Sequence, residues 1–156
     1  MKRYADLVAE ALMRIKEIMP WELSRMLAAG REPILLDVRE PAEFALMRIP
    51  CSINVPRGVL EHSCEWDFDE TLPLLAAGRE LEIVAICRSG YRSALAADVM
   101  RQMGYTGVAS LKTGVRGWND YEQPLVDAAG NPVDADAADA LFAAQLRPEQ
   151  RKPDKP

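Results

Sequence analysis

The sequence predicts an α/β fold, a parallel sheet of about four or five strands with helices on both faces. Three observations predict it. Ile83-Val84-Ala85-Ile86 is a short apolar run rich in β-branched residues, which suits a strand buried on both faces. Directly after it, Leu95, Val99 and Met103 recur at helical spacing, and Gly104 stands where a helix would stop. Further strand-like segments near residues 34–38, 52–55 and 107–111 repeat the alternation of strand and helix, and one strand of the set has no segment assigned to it.

Composition narrows the class. A chain of 156 residues, 49% hydrophobic and 28% charged, is long enough for one domain with a sizeable core. A net charge of −5 argues against nucleic acid as a partner. No apolar run approaches the length of a membrane span. The basic start Met1-Lys2-Arg3 is followed by Asp6, Glu10 and Glu17, which interrupt the apolar stretch a signal peptide needs, so a cytoplasmic protein is expected. Three cysteines without metal-ligand spacing fit a reducing compartment.

In chain order, Tyr4, Val8, Leu12, Ile15 and Met19 share one helical face, which predicts an amphipathic helix over 4–19 ended by Pro20. It packs on the domain or meets a partner. A second helix runs from Pro20 to Ala29, with Gly30 past its end. After the strand at 34–38, residues 40–46 form a short helix. Glu61 to Glu70 holds five acidic side chains and no Lys or Arg, a solvated charge run in which Trp66, Leu72 and Leu75 suggest partial packing. Following the central helix come the strand at 107–111 and a short helix over 115–121, where Trp118 serves as a core or rim aromatic. Residues 134–146 are Ala-rich and helical in propensity, with a thin stripe of Ala138, Leu141, Phe142 and Gln145. The end, 147–156, carries three prolines and no large apolar residue and is expected to be disordered.

The chemistry concentrates in Cys87-Arg88-Ser89-Gly90-Tyr91-Arg92-Ser93, between the C-terminal end of a strand and the start of a helix. Ligands of open α/β sheets bind at that place. Gly90 permits a positive φ, and unpaired amides at the helix start favour an anion. Arg88 and Arg92 add two permanent charges, and that field favours the thiolate. The loop reads as a nucleophilic cysteine in an anion-binding cradle; the alternative is a buried structural cysteine beside solvated arginines. His62 and Cys64 are too few for a metal site, so none is expected, and Cys64 is at most a second, resolving thiol.

At this point the chain resembles the rhodanese-like sulfurtransferases. Ile34 to Phe44, with Asp37-Val38-Arg39-Glu40, resembles the family's first strand and signature. Ile49 to Pro56 resembles the second strand, Cys87 to Ser93 the active loop, and Leu111 to Trp118 the closing Gly-and-Trp segment. The resemblance covers about 20–126, which leaves 1–19 as a helical extension and 127–156 as a tail. It implies a single-domain thiosulfate sulfurtransferase fold and activity: Cys87 accepts sulfur from a small anionic donor and passes it to cyanide or to a thiol, such as that of a sulfur-carrier protein, with no metal or organic cofactor. Asp37 is expected to support the site by holding Arg92, Arg88 to attract the donor, and Arg92 to shape the loop. Arg48 stands where the family commonly has histidine.

Two other classes compete. Cysteine phosphatases and arsenate reductases use a similar loop, but four residues separate Cys87 from Arg92, one fewer than in those enzymes. A shorter loop makes a smaller cradle, suited to one sulfur atom. A non-enzymatic sulfur-carrier or protein-binding module is the other; inert modules often lack the cysteine, which this chain has.

Overall fold

A computed structural model describes residues 1–153. Five strands form one parallel sheet in the order β1-β5-β4-β2-β3, with β1 Lys16–Ile18, β2 Ile34–Asp37, β3 Ile53–Asn54, β4 Glu82–Ile86 and β5 Gly107–Leu111. The register is fixed by alternation. Val84 and Ile86 of β4 enter one core, while Ile83 and the following Cys87 enter the other.

Helices cover both faces, as the sequence predicts. On one side lie α2 (Pro20–Ala28), α7 (Gly114–Asp120) and α8 (Ala135–Phe142), through Leu23, Val115, Trp118, Ala138 and Phe142. The other side carries α4 (Leu60–Ser63), α5 (Pro73–Ala76) and α6 (Tyr91–Gln102), through Leu60, Leu75, Ala96, Ala97 and Met100; α1 (Tyr4–Leu12) lies against α6. Each fully buried Leu or Ile contributes about 1.5–3 kcal/mol relative to exposure. The small α3 (Pro41–Leu46) follows β2 at the active end of the sheet.

The unassigned strand is β1, and it corrects the helix expected over 4–19. The helix ends at Leu12, and Lys16, Glu17 and Ile18 pair with Ala109, Ser110 and Leu111 of β5. Ile15 then packs with one core and Ile18 with the other, which a strand of period two allows and a single helical face does not. Pro20 therefore opens α2 at its first position rather than closing a longer helix.

Two smaller expectations also change. Trp66 is 52% exposed, whereas Cys64 and Leu75 of the same region are fully buried. In α8 the buried stripe is Ala138 and Phe142 alone; Leu141 is exposed, and Gln145 lies past the helix end. Of the tail expected to be disordered, Pro148–Gln150 forms one 3₁₀ turn, and 154–156 lie outside the described residues.

Candidate active site

Cys87 follows the last residue of β4 and is 1% exposed. The chain then turns sharply to enter α6. Gly90 makes that turn as the residue before the helix, with φ +93°, and a side chain there would press within 3.0 Å of the Thr113 amide. Its N–H donates to Cys87 Sγ at 3.1 Å. The opening amides of α6 have no acceptor in their own helix, so the sulfur sits at the positive end of an aligned helix.

A second contact comes from beneath. The Ser93 hydroxyl lies 3.4 Å from Cys87 Sγ, and the Ser110 hydroxyl donates to Ser93 Oγ at 2.8 Å. Both serines are fully buried. With Ser110 donating to it, Ser93 has its own hydrogen free for the sulfur. Ser110 was not singled out in the sequence, although a hydroxyl in the otherwise apolar strand Val108-Ala109-Ser110-Leu111 is the signal that marks it.

The loop is also held from the α7 side. Val115 N–H donates to the Cys87 carbonyl at 2.8 Å and Arg116 N–H to the Arg88 carbonyl at 3.0 Å. Gly114, with φ +60°, must lack a side chain because a Cβ would collide with the Cys87 and Arg88 carbonyls. The Leu111-to-Trp118 segment is thus the outer brace of the cysteine loop.

Arg92 and Asp37 take other partners than the resemblance implies. Arg92 donates from two nitrogens to the two Glu43 oxygens, each at 2.7 Å, so it is Glu43 of α3 and not Asp37 that holds it. These bonds hold the Glu43 carboxyl below the ordinary carboxylate range, against partial burial, and push the Arg92 guanidinium up. Asp37 is fully buried and takes the Arg39 guanidinium, at 2.7 Å from Nη2, which also reaches the Met47 carbonyl. The partner of Asp37 is therefore Arg39, two residues along the same Asp-Val-Arg signature, and not the distant Arg92. A buried acid pairs with the nearest cation that can also satisfy its other lone pairs.

Arg88 donates to the Phe142 carbonyl at the end of α8, so the C-terminal segment packs against the active loop. Arg88 lines one cavity of about 190 Å³ with Arg39, Glu43, Met47 and Leu141. Ser89 and Tyr91 are exposed at the loop's rim. Arg48 lies over the Phe44 ring at 4.8 Å and donates to the Ala128 carbonyl.

The other thiols lie elsewhere. Cys64 is fully buried, and burial foremost pushes its thiol up, with smaller additions from Glu61 and Glu65. Cys51 is exposed, with φ +64°. Among the described residues no group of three or more His, Cys, Asp or Glu side chains is placed to hold a metal ion. Within the same residues no helix is long and apolar enough to cross a membrane.

A five-stranded parallel sheet with a cysteine loop between its central strand and the following helix defines a class of cysteine-dependent α/β proteins. Residues 19–121 match the model of the rhodanese-like domain, and the chain belongs to that family. It is 33% identical over 105 residues to the human thiosulfate:glutathione sulfurtransferase, a match spanning 65% of this chain and 90% of that protein. A sulfurtransferase of Allochromatium vinosum is 29% identical over 116 residues, spanning 74% and 99%. Among solved structures, a Rhodopseudomonas palustris protein of unknown function, described as a possible tyrosine phosphatase, aligns with TM-score 0.73 at 26% identity, covering 80% of this chain and 94% of that one.

Proposed function

We propose that this protein is a sulfurtransferase in which Cys87 carries the transferred sulfur. The carrying observation is the Gly90 N–H on Cys87 Sγ at 3.1 Å, within a loop that ends as the N-terminus of α6. The names of the human and Allochromatium relatives support the activity class.

The reaction runs in two displacements. The Cys87 thiolate attacks the outer sulfur of thiosulfate or a similar anionic donor. A new S–S bond forms, the donor's S–S bond breaks, and sulfite leaves with the bonding pair. A cyanide ion or a thiolate then attacks the terminal sulfur of the Cys87 persulfide, and the pair returns to Sγ. Charge resides on sulfur in both intermediate states, and fixed amides and the helix dipole stabilise it without reorganising. An acceptor thiol belonging to another protein, such as a sulfur carrier, fits the same second step.

Phosphatase chemistry is the competing reading, raised by the Rhodopseudomonas neighbour. Against it stand the four-residue spacing between Cys87 and Arg92 and the engagement of both Arg92 terminal nitrogens by Glu43. Purified protein is assayed with thiosulfate and cyanide and, in parallel, with p-nitrophenyl phosphate. Thiocyanate formation lost in Cys87→Ser supports sulfur transfer. A phosphatase rate well above it, lost in the same variant, reverses the ranking.

A further inference from the structure

The region before the family match begins does more than cover the domain. α1 starts at Tyr4, where the Arg3 N–H donates to Asp6 Oδ2 at 2.8 Å and fixes the first turn. Val8 and Ala11 are buried, and just beyond the helix Arg14 donates to both Asp98 oxygens at 2.7 Å. The start of α1 meets the start of α6 and its end meets Asp98 farther along, so the two helices run the same way. Both N-termini therefore lie at the end of the sheet that carries Cys87.

Tyr4 is the residue this arrangement delivers. Its ring meets Tyr91 of the cysteine loop edge-on, with centroids 6.2 Å apart and planes at 71°. Both rings stay about half exposed, Tyr4 at 52% and Tyr91 at 54%, although aromatic rings normally bury most of their surface. Partial burial foremost, and then the negative charge of Cys87, disfavour ionisation of the Tyr4 hydroxyl, while Arg92 acts the other way. Tyr91 follows Gly90, whose N–H is on Cys87 Sγ, so the Tyr4 ring stands at the rim of the cysteine loop, and its hydroxyl stays an O–H donor.

We propose that Tyr4 is a specificity-determining residue of the Cys87 site, its ring walling the entrance and its hydroxyl donating a hydrogen bond to the anionic end of the small molecule that approaches the sulfur. That this molecule is an anionic sulfur donor rests on the sulfurtransferase reading; the contact itself does not. The α1 segment lies outside the family match at residues 19–121.

The test uses two reagents that differ in charge alone. In a Cys51→Ser background, which removes the exposed thiol, Cys87 is alkylated with iodoacetate and with iodoacetamide, followed by peptide mass spectrometry. Tyr4→Phe is expected to lower the iodoacetate-to-iodoacetamide rate ratio about three- to tenfold, the loss of one hydrogen bond to an anion at a half-open site. The same variant raises the KM for thiosulfate by a similar factor with kcat nearly unchanged. Tyr4→Ala additionally speeds the neutral reagent by opening the entrance. A ratio unchanged in Tyr4→Phe overturns the proposal, as does Tyr4→Ala accelerating both reagents equally, the sign of a merely loosened helix. The two readings separate cleanly. A lowered ratio in a protein that does not turn over thiosulfate keeps the Tyr4 contact and removes the sulfurtransferase reading; turnover with an unchanged ratio does the reverse.

Discussion

Arg92 and Glu43 face each other through two parallel hydrogen bonds of 2.7 Å, joining the first turn of α6 to the helix that follows β2. The pair fixes the loop arginine from outside the cradle. Glu43→Gln keeps the shape but gives up the charge and one of the two matched acceptors. It is expected to lower kcat/KM for thiosulfate about tenfold while costing no more than about 1 kcal/mol of stability, because both side chains are about one-third exposed. Steady-state kinetics and urea denaturation check both halves.

The same pair makes a pH prediction. Glu43 is held below the ordinary carboxylate range, chiefly by Arg92. A depressed folded-state value means that its stabilisation is fully present above the unfolded carboxylate range and is lost as pH falls through the lower, folded value. The parent should therefore lose more stability than Glu43→Gln between neutral pH and pH about 3. Denaturation midpoints of the two proteins at several pH values measure the difference; parallel curves would remove the linkage.

Ser93 and Ser110 form a buried chain of hydroxyls ending at Cys87 Sγ. Ser93→Ala removes the hydroxyl nearest the sulfur and strands the Ser110 donor, at a stability cost of about 1–3 kcal/mol. Turnover should fall about tenfold. Ser110→Ala leaves Ser93 in contact with the sulfur and should retain more activity than Ser93→Ala. The reverse order would mean that Ser93 only fills space.

Much of this site was legible because it is local. The strand, the glycine turn, the helix start and the cysteine lie within twelve consecutive residues, from Glu82 to Ser93. Its supports are not local. Glu43 meets Arg92 across 49 positions, and Ser110 meets Ser93 across 17, so no spacing rule pairs them. Asp37 pairs with Arg39, two residues away and itself 2% exposed, and not with the Arg92 that the resemblance implies. β1 escaped because three residues carry too short an alternation to stand out against the helical pattern before it.

Gly114 tests the brace. Its φ of +60° and the carbonyls of Cys87 and Arg88 leave no space for a Cβ. Gly114→Ala should cost more than about 2 kcal/mol and abolish turnover, by pushing the α7 start off the cysteine loop. In contrast, removing residues 147–156 should leave both stability and thiosulfate activity at parent levels, because that stretch has no large apolar residue to bury. Thermal melts with parallel activity assays decide both.

The central claim is that Cys87 alone carries the sulfur. Protein treated with thiosulfate in the absence of reductant is examined by intact and peptide mass spectrometry, before and after cyanide. The expected result is the added mass of a single sulfur atom on the Cys87 peptide, removed by cyanide, absent in Cys87→Ser and retained in Cys51→Ser and Cys64→Ser. An extra sulfur on the Cys64 peptide, or a Cys64→Ser protein that loads one sulfur and then stalls, would contradict the single-thiol mechanism and replace it with a relay.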